Sequence, residues 1–240
     1  MISKILSPAI RLWLRSQVEA AEALQFRIEG GDRQILSGYI PKVTVTAENV
    51  VYQGIALSHI RAVGEEIRIN LRQVLQGVPL QLMDAVPIWA EAALCQTDIN
   101  KSLETPLFAN TVNDLLLTWL QSAVIDLPDS LQNRLQTPAL QLRTLQVQLD
   151  NQQLLFKTEL LSAESSPMSI LIRTGLQVET GSQLSLRQPE WMLDDDLPHP
   201  WLPLAHLQGI AINLGSDVSL QQLNLEVGQI VCRGQIRVLP

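Results

Sequence analysis

The residues best equipped for chemistry sit in one short stretch, W-M-L-D-D-D-L-P-H-P-W, where Asp194, Asp195 and Asp196 precede His199. Carboxylates and an imidazole are ligands for a hard or borderline cation. A calcium loop of the EF-hand type needs Gly at its sixth position and a terminal Glu, and this stretch has neither. It reads as a solvated acidic loop. The remaining histidines, His59 and His206, are scattered, and His59 falls on an alternating segment. Glu65-Glu66 reads as a turn between strands, not an acid–base pair. Cys95 and Cys232 lie far apart and form no Cys-x-x-Cys pair, so they read as small buried hydrophobes rather than zinc ligands or a disulfide. No G-x-S-x-G, H-E-x-x-H, Walker or G-x-G-x-x-G motif occurs. The sequence thus predicts a protein that is not an enzyme and that needs no metal or cofactor.

What the chain has instead is aliphatic mass. Of its 240 residues 46% are apolar, 17% charged and only 4% aromatic, and mean hydropathy is +0.13. That composition excludes disorder, and no apolar run is long enough to span a bilayer as a helix. Lys and Arg number 17 against 24 Asp and Glu, a net charge of −7. A duplex-binding surface needs the opposite sign, so nucleic acid is not an expected partner. Arg11 and Arg15 interrupt the apolar N-terminus and no small-x-small cleavage site follows, which predicts a cytoplasmic protein or one peripheral on a cytoplasm-facing membrane.

The elements follow from periodicity. Ser7-Pro8 predicts a helix start, with Ser7 as the cap. In that N-terminal segment Ile10, Trp13, Ala21 and Leu24 share a front, while Lys4, Arg11 and Arg15 cluster on the back. Two readings stay open for this amphipathic helix. Trp13 and its neighbours enter a membrane interface while Lys4, Arg11 and Arg15 meet anionic lipid, or the front docks on a sheet. From Leu24 to Asn70 the period is two, with a turn at Gly30-Gly31-Asp32 and another at Gly54. Ile88–Leu94 adds a strand. Thr97–Leu103, capped by Thr97, and a longer segment from Thr105-Pro106 to about Ile125 predict helices. The longer one carries Phe108, Val112, Leu115, Leu116, Trp119 and Ala123 as one stripe. After Pro128 strands are expected almost to the end, with a bulge near Thr144 and a loop at Gln188–Pro203. The expectation is one domain, 1–240: a helix over 1–25, strands and central helices over 26–127, and antiparallel strands over 128–240.

The stretch from Gly30 to Ile60 resembles the LmeA-like phospholipid-binding family. The likeness is carried by Leu36-Ser37-Gly38, by the strand with Val43, Val45 and Ala47, and by Tyr52-x-Gly54 leading into Leu57 and Ile60. The later order of strand, T-D-I-N-K-S-L and long helix fits as well. The resemblance implies an α+β fold of the tubular lipid-binding (TULIP) kind, in which a long curved antiparallel sheet wraps a long amphipathic helix and leaves an apolar groove. It implies a non-enzymatic protein that holds or transfers phospholipid or another acyl lipid at a membrane surface. Leucine-rich strands facing Phe108, Val112, Leu115, Leu116 and Trp119 would supply the lining. A structural or assembly protein that binds a protein partner through its sheet is the alternative. Oligomeric state is not legible.

Overall fold

The computed structural model describes residues 3–135, 140–162, 165–194 and 199–240. Helix α1 (Ser3–Ser16) leads into four strands, β1 (Gln25–Glu29), β2 (Tyr39–Tyr52), β3 (Ile55–Arg68) and β4 (Val86–Cys95). Short helices α2 (Asp32–Leu36) and α3 (Leu71–Val74) occupy two of the connections. A helical block follows: α4 (Gln96–Leu103), α5 (Pro106–Ser122), a 3-10 turn (Val124–Asp126) and α6 (Asp129–Leu135). A meander comes next, β5 (Gln141–Asp150), β6 (Gln153–Ser162), β7 (Ser165–Thr180) and β8 (Gln183–Leu193), with the short β9 (Leu202–Pro203) and β10 (Ala211–Asn213). The hairpin β11 (Val218–Glu226) and β12 (Gln229–Val238) ends the described chain.

This is an α+β fold of antiparallel sheets, but the strands divide between two sheets instead of forming the single long one expected. The first has the order β1-β2-β3-β4-β12-β11, so the C-terminal hairpin returns to pair with β4. The second has the order β10-β8-β7-β6-β5, with β9 paired to β8. Each sheet buries its own core. The second sheet packs Val147, Leu149, Phe156, Ile170 and Ile172 against α5, α6 and the 3-10 turn Ala205–Leu207. The first packs Val43, Ile67 and Val86 with Leu6 and Ile10 of α1 and with Ile35, Leu71, Leu80 and Leu82 from the connections.

Local chemistry explains the elements. Tyr52 pairs with Ile55 across a two-residue loop, Gln53-Gly54, in which both residues have positive φ, as a type I′ hairpin requires. The bulge expected near Thr144 is present: Thr144 is left-handed and the β5–β6 register shifts between Arg143 and Gln146. Gly234 is required by packing, since a Cβ there would lie 2.6 Å from the Ser219 carbonyl oxygen.

Several boundaries differ from expectation, each for a physical reason. Helix α1 runs only from Ser3 to Ser16, not to 25, because Ala20 bridges Val51 and β1 starts at Gln25; Pro8 sits inside it and Ser7 is not a cap. A proline this near an N-terminus removes one ladder bond, and burial of Leu6 and Ile10 on either side offsets that loss. Gly30-Gly31-Asp32 is not a simple turn, because Asp32 opens α2 and Ile35 is buried. Thr97 does not cap α4. The Asp98 carboxylate does, accepting the Cys95 N–H at 2.8 Å. Helix α5 ends at Ser122, three residues early. The segment after Pro128 begins with α6, whose Leu131 and Leu135 are one turn apart and buried. Finally, β8 continues past Gln188 to Leu193 because Trp191 is buried and β9 pairs with it.

Candidate functional site

The register of the first sheet sorts its side chains onto two faces of different character. Side chains alternate along each strand, so partners in register share a face. One row reads Phe26, Val45, Ala62, Ala90, Gly234 and Leu220 across the six strands. The next reads Ala47, Ile60, Ala92, Cys232 and Leu223. Flanking rows add Ile28, Val43, Gly64, Ile88, Ile236 and Val218 on one side, and Leu94, Ile230 and Leu225 on the other. No position in these four rows is charged. The opposite face of the same strands is mixed: Thr44, Thr46, Glu48, His59, Arg61, Glu91, Arg233 and Gln235 share it with Val63, Trp89, Ala93 and Val231. There Arg233 Nε meets Glu91 at 2.6 Å and Lys42 Nζ meets Glu65 at 2.9 Å. The Glu65 bond holds the Lys42 ammonium above its usual value.

The apolar face is covered unevenly. At one end the first core engages Phe26, Ile28, Val43, Val45 and Ile88. At the other, Leu225 and Ile230 join the second core, and α4 lies against β3, where the Ser58 hydroxyl donates to Asp98 and the Ala56 N–H donates to Ser102 Oγ at 2.8 Å. Between them Ile60, Ala62, Ala90, Ala92, Cys232, Leu220 and Leu223 belong to neither core and are only half-buried. An apolar sheet face is stable only when something removes it from water. The centre of this floor is also made of small residues, Ala47, Ala62, Ala90, Ala92, Cys232 and Gly234. Burial pushes the Cys232 thiol above its ordinary value.

The walls are tied together by side chains that sequence reading missed. The Gln96 carboxamide acts as a piece of strand: its Nε2 donates to the Val147 carbonyl at 2.6 Å and its Oε1 accepts from the Leu149 N–H at 2.7 Å. It closes the edge of β5 and joins α4 to the second sheet. Turns of that sheet also bond to β11, through Leu220 N–H to Gly181 O and Gln152 N–H to Leu225 O. His206 Nδ1 lies 2.8 Å from Asp126, linking the two 3-10 turns. None of these pairs has a local sequence signature, since their members are far apart in the chain.

The expected lining residues of α5 divide into two groups. Leu116 and Trp119 are fully inside the second core, where Trp119 meets Phe156 edge-on at 6.1 Å. Phe108, Val112 and Leu115 are half-buried, with Val112 and Leu115 against the edge of that core. On α1, Leu6 and Ile10 are buried and Trp13 packs on the first core. Arg11 and Arg15 are exposed, and the Arg11 guanidinium lies 5.9 Å from the centre of the Phe26 ring. Lys4 lies on the same helix. Asp194 is drawn to Lys157 at 2.6 Å, while Asp195 and Asp196 fall outside the described residues. Cys95 and Cys232 are free and partly buried. Among the described residues no group of three or more His, Cys, Asp or Glu could hold a metal, and no helix is long and apolar enough to cross a membrane.

Fold and site define a class: an α+β protein of antiparallel sheets in which one sheet keeps an apolar face that its own cores only partly cover. The chain belongs to the LmeA-like phospholipid-binding family, whose model matches residues 1–235 of the 240. That is a family of lipid-binding proteins and not a known class of enzymes. No curated protein and no solved structure matches the chain significantly.

Proposed function

We propose that this protein binds phospholipid by laying its acyl chains on the floor between the two cores, holding or transferring them at a membrane surface without catalysis. The observation that carries the reading is the uncharged, half-buried stretch of the first sheet, smallest at its centre, in a chain of a phospholipid-binding family. Burying a chain there contributes about 0.8 kcal/mol per methylene, so on the order of ten methylenes supply a useful affinity without any polar anchor. Across the four strands that carry its uncovered part, β3, β4, β12 and β11, spaced about 4.8 Å apart, the floor is roughly 14 Å wide, enough for on the order of ten methylenes of an extended acyl chain.

We add Phe108, Val112 and Leu115 of α5, the last two at the edge of the second core, to the proposed lining, with Leu116 and Trp119 inside that core as its support. In this arrangement α5 takes the part of the long helix of a TULIP-like fold, and the whole chain acts as one lipid-binding unit. Lys4, Arg11 and Arg15 give α1 a positive back, opposite the core-packed Trp13, that would face anionic headgroups.

The test is lipid occupancy and uptake. Native mass spectrometry of the purified protein and titration with a fluorescent phospholipid should both report binding, and Ala90→Trp, which fills the floor, should weaken it at least tenfold. A folded wild-type protein with no affinity for phospholipid would sink the reading and favour a protein partner at the sheet instead.

A further inference from the structure

The end of the first sheet remote from α4 and the second sheet is built unlike the rest of the surface. Here β2 begins, β3 ends, and α2, α3 and the 75–85 connection meet. Four large apolar side chains stand out into solvent from these segments: Leu36 at 54% exposure, Leu75 at 57%, Val78 at 41% and Met83 at 58%. Scattered single leucines are ordinary on a protein surface, but four on two adjoining segments at one extremity form a patch.

They are not displayed by a slack loop. Buried Asn70 clamps the connection, donating from Nδ2 to the Pro79 carbonyl at 3.0 Å and accepting the Gln81 N–H on Oδ1 at 2.8 Å. Val78 N–H bonds to Gln73 O and Met83 N–H to Arg68 O. Leu71, Leu80 and Leu82 of the same segments are in the core, so the chain buries those leucines and holds Leu75 and Val78 outward.

Beside them runs a cleft lined by Arg68, Arg72 and Met83, in which Asp84 is the one carboxylate of its described lining. Neither arginine is within ion-pair distance of a carboxylate among the described residues. On a chain of net charge −7 the tip is locally balanced, with Arg33, Arg68 and Arg72 against Asp32, Glu66 and Asp84, and the Arg68 and Arg72 guanidiniums stand unpaired among exposed apolar side chains. The projecting side chains stand on separate turns beside this cleft and form no flat strand face. They do fit the headgroup boundary of a bilayer, where apolar tips enter and arginines meet phosphate.

We propose that this tip, Leu36, Leu75, Val78 and Met83 with Arg68 and Arg72, is the surface by which the protein docks on an anionic membrane. The inference rests on the lipid-binding reading for the chemistry of the partner, but it concerns a different part of the molecule and is tested separately. Full-length protein is floated with vesicles of phosphatidylcholine and phosphatidylglycerol at 4:1. The double variant Leu75→Asp/Val78→Asp should bind at least tenfold less, and Met83→Gln several-fold less, with unchanged melting temperature. Arg68→Gln/Arg72→Gln should lose most binding to the mixed vesicles and none of the residual binding to pure phosphatidylcholine. Folded tip variants that float like wild type overturn the proposal, as does flotation lost only with Arg11→Gln/Arg15→Gln, which would assign docking to α1. A wild type that ignores both vesicles also overturns it and points to a protein partner. Binding of monomeric dihexanoyl phosphatidylcholine separates the two readings, because the tip variants should retain it while Ala90→Trp loses it and still floats.

Discussion

Cys232 is the residue that reports most directly on the floor. It sits between Ala92 on β4 and Leu223 on β11, and its thiol donates weakly toward the Ala92 carbonyl at 3.6 Å. Burial raises its pKa, so at any given pH less of it is the reactive thiolate than in an unfolded chain. In a Cys95→Ser background, maleimide should therefore label Cys232 more slowly than the unfolded protein at pH 7 to 8. The rate should climb along a curve displaced to higher pH, and bound phospholipid should slow it several-fold further. A rate indifferent to lipid would show that the acyl chains lie elsewhere. Asp98 also belongs at this scale. The T-D-I-N segment was legible as a helix start, but the capping group is Asp98 and not Thr97, because the Asp98 carboxylate also receives the Ser58 hydroxyl from β3. A contact forty residues away in the chain decided which side chain caps.

Among elements, the junction of α4 with β5 holds the two sheets together. Gln96→Ala would leave the Val147 carbonyl and the Leu149 N–H of an edge strand without their partner. The cost expected is about 1–3 kcal/mol, a fall in melting temperature of roughly 2–12 °C for a chain of this size. Gln148→Ala, on an exposed position of the same strand, should change it little, and denaturation of the two variants side by side checks the difference. The amphipathic character of α1 was plain from its sequence, but amphipathicity alone does not say whether the front faces lipid or protein. Leu6 and Ile10 are buried in the first core, so a large part of that front is committed to the fold. Helix α6 was missed because seven residues are too few to establish a period against the strand signals around them.

For the molecule as a whole, a ligand on the floor must stabilise the folded state by mass action. At a free lipid concentration a hundredfold above Kd the gain is about 2.7 kcal/mol, a rise in melting temperature of roughly 5–10 °C. Differential scanning calorimetry with a water-soluble short-chain phospholipid should show it, and no rise at saturating lipid would contradict binding to the native fold. The division into two cores gives this expectation its physical basis. Each sheet completes a core of its own, so the middle of the first sheet is not needed to close either one, and covering it adds stability to a fold that already stands.

Strand after strand was readable before any coordinate: the alternation of Val43, Val45 and Ala47, the hairpin at Gly54, the bulge at Thr144 and the helix after Pro106 are all local facts, set by side-chain period and backbone preference within a few residues. What the linear chain does not contain is which apolar rows find a covering layer. That depends on β12 returning across more than a hundred residues to pair with β4, on the second sheet turning its own leucines toward α5, and on the Gln96 bridge between them. Burial is a property of neighbours in space, and only the assembled sheets separate the leucines that fill a core from the alanines that floor an open face.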